Sequence, residues 1–151
     1  MSRIFASALL GLSLLALAGC LRPDAHRGPR PTQPPVAIAC AAGETAMQRS
    51  TLYFGAAIPG STDTVDAVEW QRFLDSSVTP RFPDGLTWLD ARGQWRGKDG
   101  RVIGEPSRVL ILLHPDDGET HTAIDAIRAE YQRAFAQEAV LHEHASVCAA
   151  L

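Results

Sequence analysis

Apolar and polar positions alternate along this chain in two different periods, and the order of those periods predicts its elements. Thr51–Ala57 (TLYFGAA) is a short apolar run of strand-forming residues. Trp70, Phe73, Leu74 and Ser77 then fall at i, i+3, i+4 and i+7, one inward face of a helix. Asp66 is placed to cap that helix, with Glu69 at capping-box spacing and Val65 and Trp70 at the positions of a hydrophobic staple. Pro80 ends it. After the turn-rich VTPRFPDG (78–85), Leu86–Arg96 reads as extended and Gly97-Lys98-Asp99-Gly100 as a hairpin turn. The returning strand holds Val109–Leu113 (VLILL), apolar on both sides, which predicts a central strand covered on both faces. Pro106 cannot donate to a ladder, so a bulge or an edge is expected beside it. Beyond the turn at 115–118, Ile124, Ile127, Tyr131, Ala134 and Phe135 recur at helical spacing, and Val140–Val147 is a last strand.

The order β-α-β-β-α-β is that of the α+β ferredoxin-like arrangement, an antiparallel four-stranded sheet of order 4-1-3-2 with two helices on one face. The fourth strand then pairs with the first, and Cys148 comes to lie near Cys40. Two cysteines in an exported domain, outside any Cys-x-x-Cys pair, favour a structural disulfide over two free thiols.

The N-terminus bears on location. Arg3, a largely apolar run from Ala6 to Ala18, and Leu17-Ala18-Gly19-Cys20 have the layout of a secretory signal. The run is short for a retained transmembrane helix, which needs about 20 apolar residues. A cysteine after Leu-Ala-Gly resembles the lipobox of bacterial lipoproteins. That resemblance implies lipidation at Cys20, anchorage in a membrane, and, with Leu21 following, an outer-membrane protein facing the periplasm. Residues 1–19 are then the signal peptide. The 20–39 segment, with Pro23, Pro29, Pro31, Pro34 and Pro35, is a tether that cannot bury a core. Residues 40–151 are long enough for one domain. They hold ten basic and sixteen acidic residues, a net charge of −6 with a single lysine, Lys98. No basic footprint for nucleic acid is present.

LYFG in the first strand, EWQRFLDSSVTPRFPDGLT, GQWR, a later Glu-x-Ser and YQRAFAQEAVL resemble DUF3574, a bacterial family of small exported proteins of unknown function. The resemblance spans most of 50–148 and implies no reaction, cofactor or partner.

Candidate chemistry centres on the hairpin. With Asp99-Gly100 as a two-residue loop, Arg92, Gln94, Arg96, Glu105 and Ser107 share one face, and Arg81 in the preceding loop is a possible addition. Guanidinium forks and an amide suit a carboxylate, phosphate or sugar hydroxyl; ordinary exposed ion pairs are the plainer explanation. His142 and His144 alternate onto one face of the last strand, with His114 on a strand not adjacent to it. No third ligand is well placed, so no metal is expected and a solvent-facing edge explains the pair. Asp116-Asp117 reads as a solvated turn. No nucleophile elbow, phosphate loop or dinucleotide fingerprint occurs, and no cofactor is implied. The expected function is a non-enzymatic envelope module that binds a small polar ligand, an envelope protein or a second copy. The alternative is a small periplasmic enzyme with Glu105 as its acid or base.

Overall fold

A computed structural model describes residues 38–150. The apolar leader, Cys20 and residues 21–37 of the proline-rich segment lie outside the described residues. The elements are β1 (Thr45–Gly55), α1 (Ala67–Phe73), β2 (Thr87–Arg96), β3 (Val102–His114), α2 (Gly118–Ala134) and β4 (Leu141–Ala149). They form one antiparallel sheet of order β2-β3-β1-β4, with the helices on one face: a ferredoxin-like α+β fold. No helix among the described residues is long and apolar enough to cross a membrane.

The local signals act as their chemistry dictates. Asp66 accepts from the Val68 and Glu69 amides, and Glu69 reaches back to the Asp66 amide, closing the capping box. Val65 and Trp70 are both buried behind it. α1 runs on into a π-helical turn over Leu74–Val78, closed by Thr79 N–H to Leu74 O, and Pro80 follows. Asp117 caps α2 by accepting from the Thr120 amide. Asp117 is thus a helix cap rather than a merely solvated turn residue.

The core is aromatic. Phe54 on β1 takes Trp70, Phe73 and Tyr131 edge-on at centroid distances of 5.2, 6.0 and 4.7 Å. Leu52, Leu110, Leu112, Ile124 and Ile127 close around them. The buried Tyr131 hydroxyl donates to Gly55 O at 2.8 Å, and burial pushes its pKa up.

β1 begins six residues before the apolar run that signals it, because Thr45–Arg49 is held by pairing with β4 rather than by burial. Pro106 distorts neither ladder. Its carbonyl accepts from the Ala56 amide, so its missing N–H also points toward β1, beyond that strand's last residue, Gly55. β3 is central, as expected, but the helices cover only one of its faces.

Cys148 lies opposite Ala46 in the β1–β4 ladder, and Cys40 folds back to bond it, with Cα atoms 5.5 Å apart. The bridge closes a loop of 108 residues. In the chain-entropy description such a loop contributes up to ~4.7 kcal/mol. Cys148→Ser is therefore expected to lower unfolding free energy in urea by roughly 2–5 kcal/mol relative to the oxidised protein. An unchanged urea midpoint would contradict this account.

Candidate functional site

The hairpin turn decides which side chains meet. Gly100 N–H donates to Gly97 O and Gly97 N–H to Arg101 O, so the loop has three residues, Lys98, Asp99 and Gly100. Gly100 takes φ +81°, the left-handed position this turn requires, and Asp99 Oδ1 accepts the Arg101 amide. The two-residue loop expected from Asp99-Gly100 is therefore replaced by one a residue longer, and the pairing shifts by one. Arg92 lies opposite Pro106, Gln94 opposite Gly104, and Arg96 opposite Val102. Glu105 and Ser107 instead lie opposite Gly93 and Ala91, on the other side of the sheet.

The expected five-residue cluster is thus divided. Arg92, Gln94 and Arg96 stay together on the helix side, exposed on the part of the hairpin that runs past the last β1 pair, Gly55 with Ser107. Glu105 is used structurally: its carboxylate accepts the Ala57 amide at 3.1 Å and presses on Gly55. A Cβ at Gly55 would lie 2.7 Å from Glu105 Oε1, so a larger residue there would push the carboxylate from this position. Arg81 does not join the group. Its guanidinium grips Glu130 on α2 at 2.6 and 3.0 Å, and this hydrogen bonding holds the Glu130 carboxyl below its ordinary pKa.

The residue that meets Arg92 at the groove is Arg108. This residue shares inward parity with Leu110, Leu112 and His114 on β3 and is 8% exposed. Its Nη1 donates to Val65 O at 3.0 Å, and its Cζ lies 5.4 Å from the centre of the Trp70 ring. Its buried Nε has no hydrogen-bond acceptor among the described residues. Asp90 on β2 leans toward that Nε at 3.6 Å, short of a hydrogen bond, with its own side chain 80% exposed. Asp90, Arg92, Pro106 and Arg108, with Ala91 and Ser107, line an open groove of about 490 Å³. Gly104 opposite Gln94 and Pro106 opposite Arg92 keep the floor low. Arg96, farther out on β2, turns back to the hairpin loop, with Nη1 donating to Gly100 O at 3.2 Å. Trp88 flanks the groove, half-buried and edge-on to Trp70 at 5.9 Å. Trp95 points to the opposite side of β2.

The groove itself carries two cations, Arg92 and Arg108, against one carboxylate, Asp90, and positive charge is denser along the whole hairpin. Five of the domain's ten cations (Arg92, Arg96, Lys98, Arg101 and Arg108) fall within 92–108, against two carboxylates, in a domain that is acidic overall. A buried donor left without an acceptor costs about 1–3 kcal/mol. The parity of Arg108 with the VLILL run is the sequence signal that places it on the helix side, whereas nothing in the sequence singles out Asp90.

A second polar cluster spans the sheet. His142 and His144 lie on the helix side of β4, and His142 turns inward rather than facing solvent. β1 lies between β3 and β4, and Ser50 on it joins the two histidines that topology alone keeps apart. His114 Nδ1 faces Pro115 O at 2.7 Å, an acceptor only, so that nitrogen carries the proton. Its Nε2 then accepts from Ser50 Oγ at 2.8 Å, and Ser50 Oγ accepts from His142 Nε2 at 2.9 Å. Ser50 is 1% exposed, too deep to meet a substrate. The only grouping of three potential metal ligands among the described residues is Cys40, Glu44 and Cys148, whose thiols are bonded to each other.

Burial, foremost, and then the charge of Arg128, push the His142 pKa below its ordinary 6.5. The unfolded chain therefore takes up this proton first as pH falls. Stability from His142 is complete above about pH 6.5 and is lost as pH drops through 6.5 toward the folded value. A His142→Gln variant is expected to show a shallower loss of melting temperature over that window. Parallel profiles for the two proteins would contradict the burial of His142 as a source of pH-dependent stability.

Residues 49–151 match DUF3574, described as a protein of unknown function. No curated protein sequence matches the chain. Among solved structures, a phage SAM lyase in complex with S-methyl-5'-thioadenosine superposes with a TM-score of 0.52, at 16% identity, over 76% of this chain and 95% of that one. The apo state of a phage SAM lyase gives 0.52 at 14%, over 76% and 96%. CutA from Synechococcus elongatus PCC7942 gives 0.47 at 14%, over 71% and 83%. At these identities the likeness to the lyase concerns the fold alone.

Proposed function

Because the chain belongs to DUF3574, a family with no assigned activity, we propose its function from the groove: a non-enzymatic binding module of the bacterial envelope that holds an anionic group between Arg92 and Arg108. The observation that carries this reading is the pair of guanidinium groups, Arg92 and Arg108, on the lining of one open groove, with the Arg108 Nε buried just beneath it and without a hydrogen-bond acceptor. Carboxylate and phosphate oxygens match guanidinium donors in charge and geometry. Asp90, an exposed ion-pair neighbour of Arg108 that does not hydrogen-bond it, swings aside when the ligand enters. Gln94 and Arg96 extend the site along the hairpin for a ligand longer than one anion.

The enzyme reading loses its acid–base group, because Glu105 is bonded to a backbone amide on the other side of the sheet. The location follows from Cys20, which is lipidated and anchors the domain in the outer membrane, facing the periplasm. The Cys40–Cys148 disulfide supports export, since such bonds persist in oxidising compartments. Incorporation of labelled palmitate into the expressed protein is expected, and its loss in Cys20→Ala. Equal labelling of both proteins would contradict the anchor.

Titration of the purified mature protein with citrate and with inorganic phosphate tests the site. Arg92→Ala is the informative variant because Arg92 is exposed and supports no core contact, whereas Arg108 does. Loss of one charge-assisted interaction is worth roughly 1.5–3 kcal/mol, so affinity is expected to fall about 10-fold or more. Equal affinity in the variant, or no binding of either probe to the wild type, would overturn the assignment.

A further inference from the structure

An antiparallel sheet with one solvated face ordinarily alternates apolar-in with polar-out. β3 does not: Val109, Ile111 and Leu113 alternate with the buried Leu110 and Leu112, so both of its sides are apolar. The helices cover the Leu110 and Leu112 side only. On the open side, pairing brings Leu89 of β2 beside Val109, and Leu141 of β4 lies in the same row beyond Tyr53. Leu89, Leu113 and Leu141 are 44, 45 and 57% exposed. The patch is therefore contiguous across all four strands, beyond the scattered apolar residues of an ordinary surface.

We propose that the open face of the sheet is the interface of a homodimer, with a second copy of this chain as the missing cover for β3. Its size fits that occupant. Four strands about 4.8 Å apart, over roughly 30 Å of strand, present on the order of 600 Å² per copy. Two such faces bury about 1,200 Å² in all, the lower end of specific interfaces. The charges fit as well. The face carries one arginine, Arg49, and one glutamate, Glu143, on the paired strands β1 and β4, while Glu105 is folded onto the Ala57 amide. Two copies can meet with opposite charges facing and apolar rows in contact, as a self-complementary two-fold interface requires. The proposal does not depend on the arginine groove, which lies on the other side of the sheet.

The test places the photo-crosslinker benzoylphenylalanine at Leu113 in the intact protein, expressed and irradiated in its own membrane. A product of twice the subunit mass, containing only this chain, is expected. The same probe at Gln71, exposed on α1, is expected to give none. Leu113→Lys, with the probe moved to Leu89, is expected to abolish the product, because the contact would bury an unpaired charge. Leu113 is half-exposed, so the variant keeps its fold, which its far-ultraviolet circular dichroism and melting temperature verify. No product from Leu113, a product with a different protein, or equal dimer yield from Gln71 would each overturn the proposal.

Discussion

The guanidinium of Arg108 is set against an aromatic core with part of its hydrogen-bonding capacity unspent, and the candidate site depends on that placement. One nitrogen ties β3 to the carbonyl of Val65, just before α1, and the plane of charge rests near Trp70. These contacts hold the group in place. The Nε is left to Asp90, which approaches without bonding. A cation that is fixed but incompletely satisfied is preorganised for an anion, since little ordering cost remains when the ligand arrives.

The fold supplies the other half of the arrangement. α1 packs its aromatic face against the sheet, while β2 and β3 run on past the last β1 pair, Gly55 with Ser107, so the helix side of the outer hairpin stays open. The three-residue turn fixes the register that lines Arg92, Gln94 and Arg96 along that opening. The same register sends Glu105 to the opposite side, where it anchors the chain leaving β1. One glycine at φ +81° thereby separates a cationic groove from a mostly apolar sheet face.

Much of this was legible in the chain. The α1 cap, the inward face of Trp70, Phe73 and Leu74, the centrality of VLILL and the cysteine pairing all follow from periodicity and topology, and the structure bears them out. Strand starts were less legible where pairing, not burial, holds the residues, as at Thr45–Arg49. The hairpin site was half legible. Lys98-Asp99-Gly100 and Asp99-Gly100 are both acceptable loops, and sequence gives little energetic reason to choose between them. Side chains alternate with period two, so that choice moved Glu105 and Ser107 across the sheet. The Ser50 relay was hidden for a different reason: His114 and His142 meet only through a residue on the strand between their own.

The most direct measurement is the ¹⁵N NMR signal of the Arg108 Nε–H in the purified protein during titration with inorganic phosphate. The account predicts a large, saturable shift at Arg108, with a smaller one at Arg92. An Arg108 signal that stays in place while phosphate reaches millimolar concentration would contradict it.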